Sequence, residues 1–151
     1  MIGEGARVKG LDGNAKMGKS LGNAIYLSDS EEEITKKVMS AVTDTTKIKK
    51  DDKADPEICM VGYYHKLFSG ESKDTVFSEC RAGARGCVAC KRELAKNIIE
   101  YLRPIREKRK YYEEHPEIIE KVLKEGTFKA KEKTKETIKK VKQAMKINYF
   151  D

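Results

Sequence analysis

The chain reads as a mostly α domain preceded by a glycine-rich loop. Of its 151 residues 38% are hydrophobic and 38% charged, with no Trp and three Pro, a balance that suits exposed helices better than a β sandwich or barrel. Six of its eleven glycines fall before residue 27, where no helical period is present. Beyond residue 30 apolar side chains return at intervals of three and four.

Each element follows from local signals. Residues 1–28 form turn-rich backbone, with a short extended piece at Ala24 to Leu27. Asp29 or Ser30 caps a first helix: Glu31 to Glu33 suit the positive end of its dipole, Ile34, Val38, Met39 and Val42 make its apolar stripe, and it ends near Thr43. After a polar connector, Asp55-Pro56 starts a second helix with Ile58, Val61, Leu67 and Phe68 facing inward, closed by Gly70. A short helix from Lys73 to Cys80 and the turn Ala82 to Gly86 lead into a long helix with core marks Leu94, Ile98, Ile99 and Leu102, kinked at Pro104. His115-Pro116 opens a further helix that stops at Gly126, and Phe128, Ile138, Val141 and Met145 mark a last one.

The net charge of +7 is not spread evenly. Residues 1–90 carry 14 basic and 14 acidic side chains, so the excess lies in residues 91–151. A localised positive surface attracts polyanions in a salt-dependent way. The Lys-rich stretch from Lys129 to Lys142 reads as a solvated helix face. Arg81, Arg85, Lys91, Arg92, Lys96, Arg103, Arg106 and Arg109 read as phosphate contacts, because Arg presents a planar fork and the group surrounds the cysteines. The N-terminus has no apolar leader core and no stretch reaches membrane-spanning length, so a soluble, cytoplasmic chain without a membrane partner is expected.

Lys16-Met17-Gly18-Lys19-Ser20-Leu21-Gly22-Asn23 sets two lysines and a hydroxyl among glycines, backbone that approaches an anion closely. It lacks the Walker spacing. The segment resembles the KMSKS signature loop of class I aminoacyl-tRNA synthetases, and Gly10-Leu11-Asp12-Gly13-Asn14 narrows the resemblance to the tryptophanyl enzymes. Leu27-Ser28-Asp29, Ala41 with Thr43-Asp44, Asp55-Pro56-Glu57, Tyr64 to Phe68, Cys80 to Gly83, Cys87 to Leu94 and Pro104-Ile105-Arg106 are similar to the C-terminal half of that family.

The resemblance implies that Lys16, Met17, Gly18, Lys19 and Ser20 meet ATP, with Lys16 and Lys19 following the phosphate charge. Gly18 departs from the usual serine. It further implies ATP with Mg and tryptophan as ligands of a complete enzyme, tRNA-Trp as partner, and anticodon recognition by residues 29–151. The nucleotide-fold catalytic domain that precedes this loop in the family has no counterpart here, so the chain is expected to be a fragment, inactive in charging tRNA. A monomer is expected, where intact relatives are homodimers.

Cys59, Cys80, Cys87 and Cys90 are spaced C-x20-C-x6-C-x2-C. Four thiolates suit Zn or a 4Fe-4S cube, and spacing alone does not choose; the single C-x2-C knuckle leans toward iron. Free thiols, with Cys59 in the core, are the plainer alternative. The resemblance adds that some bacterial members with similar spacing hold a 4Fe-4S cluster. His65 and His115 read as structural, and Tyr63, Tyr64, Tyr101, Tyr111 and Tyr112 as helix packing before base stacking. The rivals are a stand-alone basic nucleic-acid module with a four-cysteine metal site and a small iron-sulfur electron carrier.

Overall fold

The computed structural model describes residues 7–147 and Tyr149. The expectations for Met1 to Ala6 lie outside them. The described residues hold a short 3-10 turn, Lys19–Leu21, and five α-helices: α1 (Glu31–Met39), α2 (Met60–Phe68), α3 (Ser72–Ala82), α4 (Cys87–Glu114) and α5 (Pro116–Met145). No strand occurs among the described residues, so the extended piece at Ala24 to Leu27 is not a β-strand. The chain divides into two units, Met1–Arg106 and Glu107–Asp151.

In the first unit the core is a single cluster. Leu11 from the loop, Ile34, Val38 and Ala41 from α1 and its exit, Val61 and Tyr64 from α2, and Leu94, Ala95, Ile98 and Leu102 from α4 pack together. Val8, Met17 and Ile25 lie against this cluster, so the glycine-rich segment is part of the packed body. Tyr64 is fully buried and its hydroxyl donates to the Lys9 carbonyl, tying loop to helix.

Helix ends follow local chemistry. Ser30 caps α1 in a capping box: its Oγ accepts from the Glu33 amide at 3.2 Å, while the Glu33 carboxylate accepts from the Ser30 amide at 2.7 Å. Gly70 and Gly83 take positive φ where α2 and α3 end. At Gly83 an added Cβ would lie 2.2 Å from the Asp51 carbonyl oxygen, so this turn is reserved for glycine twice over.

Three helix boundaries depart from expectation, the first because α1 ends at Met39 and not near Thr43, leaving Val42 exposed outside it. The second helix begins at Met60, not at Pro56, with Ile58 two-thirds exposed outside it. Asp55 explains this, because its carboxylate accepts the Glu57 amide at 2.9 Å in an Asx turn that competes with helix. The Pro56 carbonyl then sits against Gly62, where a Cβ would lie 2.0 Å from it. Gly126 does not stop a helix either: α5 runs unbroken from Pro116 to Met145. A mid-helix glycine costs about 1 kcal/mol relative to Ala, too little to break a helix rich in Glu and Lys. Pro104 lies within α4 without ending it.

The second unit comprises the end of α4 and all of α5. No α5 residue is buried, and Ile119, Val122, Leu123, Phe128, Ile138, Val141 and Met145 are exposed. Pairs such as Lys124 with Glu120 at 2.6 Å and Lys140 with Glu136 at 2.7 Å line its polar surface. His115 precedes α5 without a side-chain cap and stacks on Tyr111 at 4.4 Å. Among the described residues no helix is long and apolar enough to cross a membrane.

Leu94, at the centre of the first unit's cluster, is fully buried. Leu94→Ala is expected to lower unfolding free energy by about 2–5 kcal/mol, read by chemical denaturation.

Candidate functional site

The lysine loop is built around the side chain of Asn23, which is buried. Its Nδ2 donates to Asp12 Oδ1 at 2.9 Å and to the Lys16 carbonyl at 3.3 Å, and its Oδ1 accepts the Gly18 amide at 2.9 Å. One amide therefore fixes both ends of the segment carrying the lysines. The Leu11 amide donates to the Asn23 carbonyl at 3.0 Å, and Met17 donates to Val8 at 3.2 Å. Gly10 lies so close that an added Cβ would come within 2.1 Å of Asn23 Nδ2. Asp12 is held below the usual carboxylate range, first by the Asn23 amide and then by the Asn14 backbone N–H.

On this frame Gly18 is extended, Lys19–Leu21 make a single 3-10 turn and Gly22 closes it at φ 64°. Lys16, Lys19 and Ser20 are exposed, Met17 and Gly18 half-buried. Neither lysine has an ion-pair or hydrogen-bond partner among the described residues, so two cations stand on an ordered turn, available to an anion. In the sequence, only the place of Asn23 just after the glycine turn hints at this role.

The four cysteines gather from three elements. Cys59 precedes α2, Cys80 lies near the end of α3, and Cys87 and Cys90 sit on the first turn of α4. All four line one small cleft, together with Thr43, Asp44, Lys47, Ala54, Val61 and Arg85. They are free thiols, each half-buried. Among the described residues no set of three or more His, Cys, Asp or Glu side chains is drawn together as a metal site. Burial pushes the Cys90 thiol up to about 12, and raises Cys80 as well. Arg85 opposes this at Cys90, and its guanidinium is pinned between Glu79, at 2.6 Å, and Glu93.

The expected phosphate contacts divide sharply. Arg81 pairs with Glu57 at 3.4 Å, Arg85 with Glu79 and Glu93, Arg103 with Glu100, Arg106 with Glu31 at 2.9 Å and Arg109 with Glu113 at 2.7 Å, while Lys91 donates to the Met39 carbonyl at 2.9 Å. Arg92 and Lys96 have no such partner among the described residues. Arg92 lines an open groove with Lys47, Lys49, Lys50, Gly86 and Cys87. The Lys47–Lys50 turn, not singled out in the sequence, is shaped by Asp52, whose carboxylate accepts the Ile48 and Lys49 amides at 3.0 and 2.6 Å. Ile48 is 89% exposed beside it.

The family described as tRNA synthetases class I (W and Y) matches residues 6–103. A tryptophan–tRNA ligase of Aquifex aeolicus is 44% identical over 149 residues, covering 97% of this chain and 38% of the relative. One from Streptococcus mutans is 40% identical over 148 residues, covering 95% and 44%. The crystal structure of tryptophanyl-tRNA synthetase from Campylobacter jejuni complexed with ADP and tryptophan superposes with a TM-score of 0.83 at 30% identity, covering 93% of this chain and 43% of that one. The chain thus spans about two fifths of the length of these relatives.

Asn23→Ala removes three hydrogen bonds at the base of the lysine turn. It is expected to speed amide exchange of residues 12–22 by about tenfold or more while the α4 core amides keep their protection, as read by hydrogen-exchange mass spectrometry.

Proposed function

The chain belongs to the class I tRNA synthetases of the tryptophan and tyrosine kind, and from that premise we propose that it supplies the signature loop and the RNA-binding helices of a tryptophan–tRNA ligase. The observation that carries this reading is the ordered turn around Asn23, with the Lys16 and Lys19 ammonium groups unpaired on it. In the complete enzyme these two cations meet the ATP phosphates, with Mg, as charge develops on them during tryptophan activation. Met17, Gly18 and Ser20 complete that contact. Preorganisation matters here, because a turn already fixed at both ends loses little entropy on meeting the nucleotide. These 151 residues alone bind without charging tRNA.

The RNA partner is tRNA-Trp, engaged through the anticodon-binding helices. The groove beside the start of α4 supports this, since Lys49, Lys50 and Arg92 face it unpaired. Arg81 and Arg103 join them: exposed ion pairs contribute about 0–1 kcal/mol, so a phosphate displaces their carboxylate partners at small cost. Arg106 and Lys91 would reach RNA only on releasing Glu31 and the Met39 carbonyl. Arg85 serves the cysteine cleft. Ile48 offers an apolar contact to an unstacked base.

The cysteine cleft holds a structural 4Fe-4S cluster, with zinc as the alternative ion. Four thiols on one cleft suit either. Cys59, Cys80, Cys87 and Cys90 would hold the group, and its chemistry there is to join the entry of α2, the end of α3 and the start of α4. The comparisons give no support to a free-standing nucleic-acid module or an electron carrier.

Three measurements test this reading. Tryptophan-dependent exchange of pyrophosphate into ATP by the purified chain is expected to be undetectable, and turnover would overturn the binding-only role. Lys49→Ala/Lys50→Ala/Arg92→Ala is expected to weaken tRNA-Trp binding about tenfold or more and to flatten its salt dependence, whereas wild-type affinity would remove the groove from the RNA surface. Anaerobic protein is expected to carry about four irons with sulfide per chain. A single zinc would keep the four-cysteine site and discard the cluster, and absence of metal would refute both.

A further inference from the structure

Among the described residues of the first unit His65 is the most completely enclosed of the buried polar side chains, with no exposed surface. Its two ring nitrogens face different groups. Nε2 lies 3.3 Å from the Cys90 carbonyl oxygen and 3.3 Å from Cys90 Sγ. Nδ1 lies 2.6 Å from Ser69 Oγ, which also accepts the Asn97 Nδ2 proton at 2.9 Å.

One tautomer satisfies the carbonyl contact as well as the others. A carbonyl oxygen only accepts, so the nitrogen facing it must carry the proton. Nε2 is therefore the N–H, and Nδ1 is a bare lone pair that accepts the Ser69 hydroxyl. Asn97 fills one lone pair of Ser69 Oγ, which is compatible with the hydroxyl proton pointing to the ring. Burial favours the neutral imidazole that the arrangement needs. The chain Asn97, Ser69, His65 thus delivers one oriented N–H to the edge of the cysteine cleft, shared between the oxygen and the sulfur of a single residue.

We infer that His65 is a positioning residue for Cys90: its Nε2–H donates to the Cys90 sulfur when that sulfur ligates a metal, and so stabilises it as thiolate. This rests on the reading of the four cysteines as a metal site. The other three cysteines have no such donor among the described residues, so Cys90 is singled out by the fold. A hydrogen bond to a charged sulfur is stronger than one to a thiol, and the N–H need not move to make it, since it already lies between the two acceptors. Partners of this kind typically alter metal affinity by about 10–100-fold.

The test titrates cobalt(II) alone, anaerobically, into the reduced full chain and follows the thiolate-to-cobalt charge-transfer absorption. Wild-type protein is expected to give that band. His65→Met, which removes the N–H, is expected to bind about tenfold more weakly or worse, and His65→Gln, which places an N–H where Nε2 stands, to recover most of the loss. Ser69→Ala keeps the ring and removes its anchor, and is expected to fall between His65→Met and wild type. Wild-type affinity in His65→Met overturns the inference, as does equal weakening in His65→Met and His65→Gln. Should His65→Met fail to fold by circular dichroism, Ser69→Ala decides in its place, with wild-type affinity there overturning the inference. Lack of any thiolate band in the wild-type chain refutes instead the metal-site reading on which it stands.

Discussion

The hydrogen bond from the Tyr64 hydroxyl to the Lys9 carbonyl joins the glycine-rich segment that carries the lysine turn to the helices that give it a fixed position. Tyr64 is fully buried, edge-on to Tyr63 at 5.4 Å and stacked with Phe68 at 6.3 Å, so its ring cannot shift without moving the cluster around it. The loop backbone is held there, and Asn23 then holds the loop to itself. A glycine-rich segment that loses much conformational entropy on folding needs such an anchor. Without it the turn bearing Lys16 and Lys19 would be one conformation among many.

The next residue along α2 faces another direction and another task. Five residues of this nine-residue helix are buried: Met60, Val61, Gly62, Tyr64 and His65. Tyr64 points to the loop and the core; His65 points to Ser69 and Cys90. A helix buried on most of its surface must satisfy every polar group it takes inside, and both side chains do so through specific partners. The loop and the cysteine cleft are thus positioned by neighbouring residues of one rigid element. The electrostatics divide in a similar way, with Arg85 neutralised by Glu79 and Glu93 next to the thiols, and the unpaired Lys49, Lys50 and Arg92 left on the groove outside.

Much of this was legible in the sequence where the cause is local. Ser30, one of the two caps the sequence offers, does cap α1, and Leu94, Ile98 and Leu102 keep their helical spacing in the core. The lysine loop and the cysteine spacing were legible as motifs. What failed depended on contacts distant in sequence or on a competition between neighbours. Pro56 has the signature of a helix start, yet Asp55 captures the Glu57 amide and the Asp44 carboxylate accepts the Asp55 amide at 2.9 Å, so the chain turns first. Gly126 looks like a stop, yet nothing beyond it competes with continued helix. Asn23 and His65 read as ordinary polar residues because their roles come from groups up to 25 residues away, such as Cys90 for His65.

The departure at Pro56 is also what assembles the cysteine cleft. A helix beginning at Pro56 would have placed Cys59 in its first turn, pointing along a direction set by helix geometry alone. The chain instead turns over Asp55 to Ile58, lays the Pro56 carbonyl against the bare face of Gly62, and enters α2 with Cys59 in extended backbone at φ −87° and ψ 130°. Any side chain at residue 62 would drive that carbonyl away, since a Cβ would lie 2.0 Å from its oxygen. Gly62 therefore allows the close approach that returns Cys59 to a cleft shared with Cys80, Cys87 and Cys90. A spacing of twenty residues between Cys59 and Cys80 becomes a shared site because one carbonyl and one missing side chain let the backbone fold back on itself.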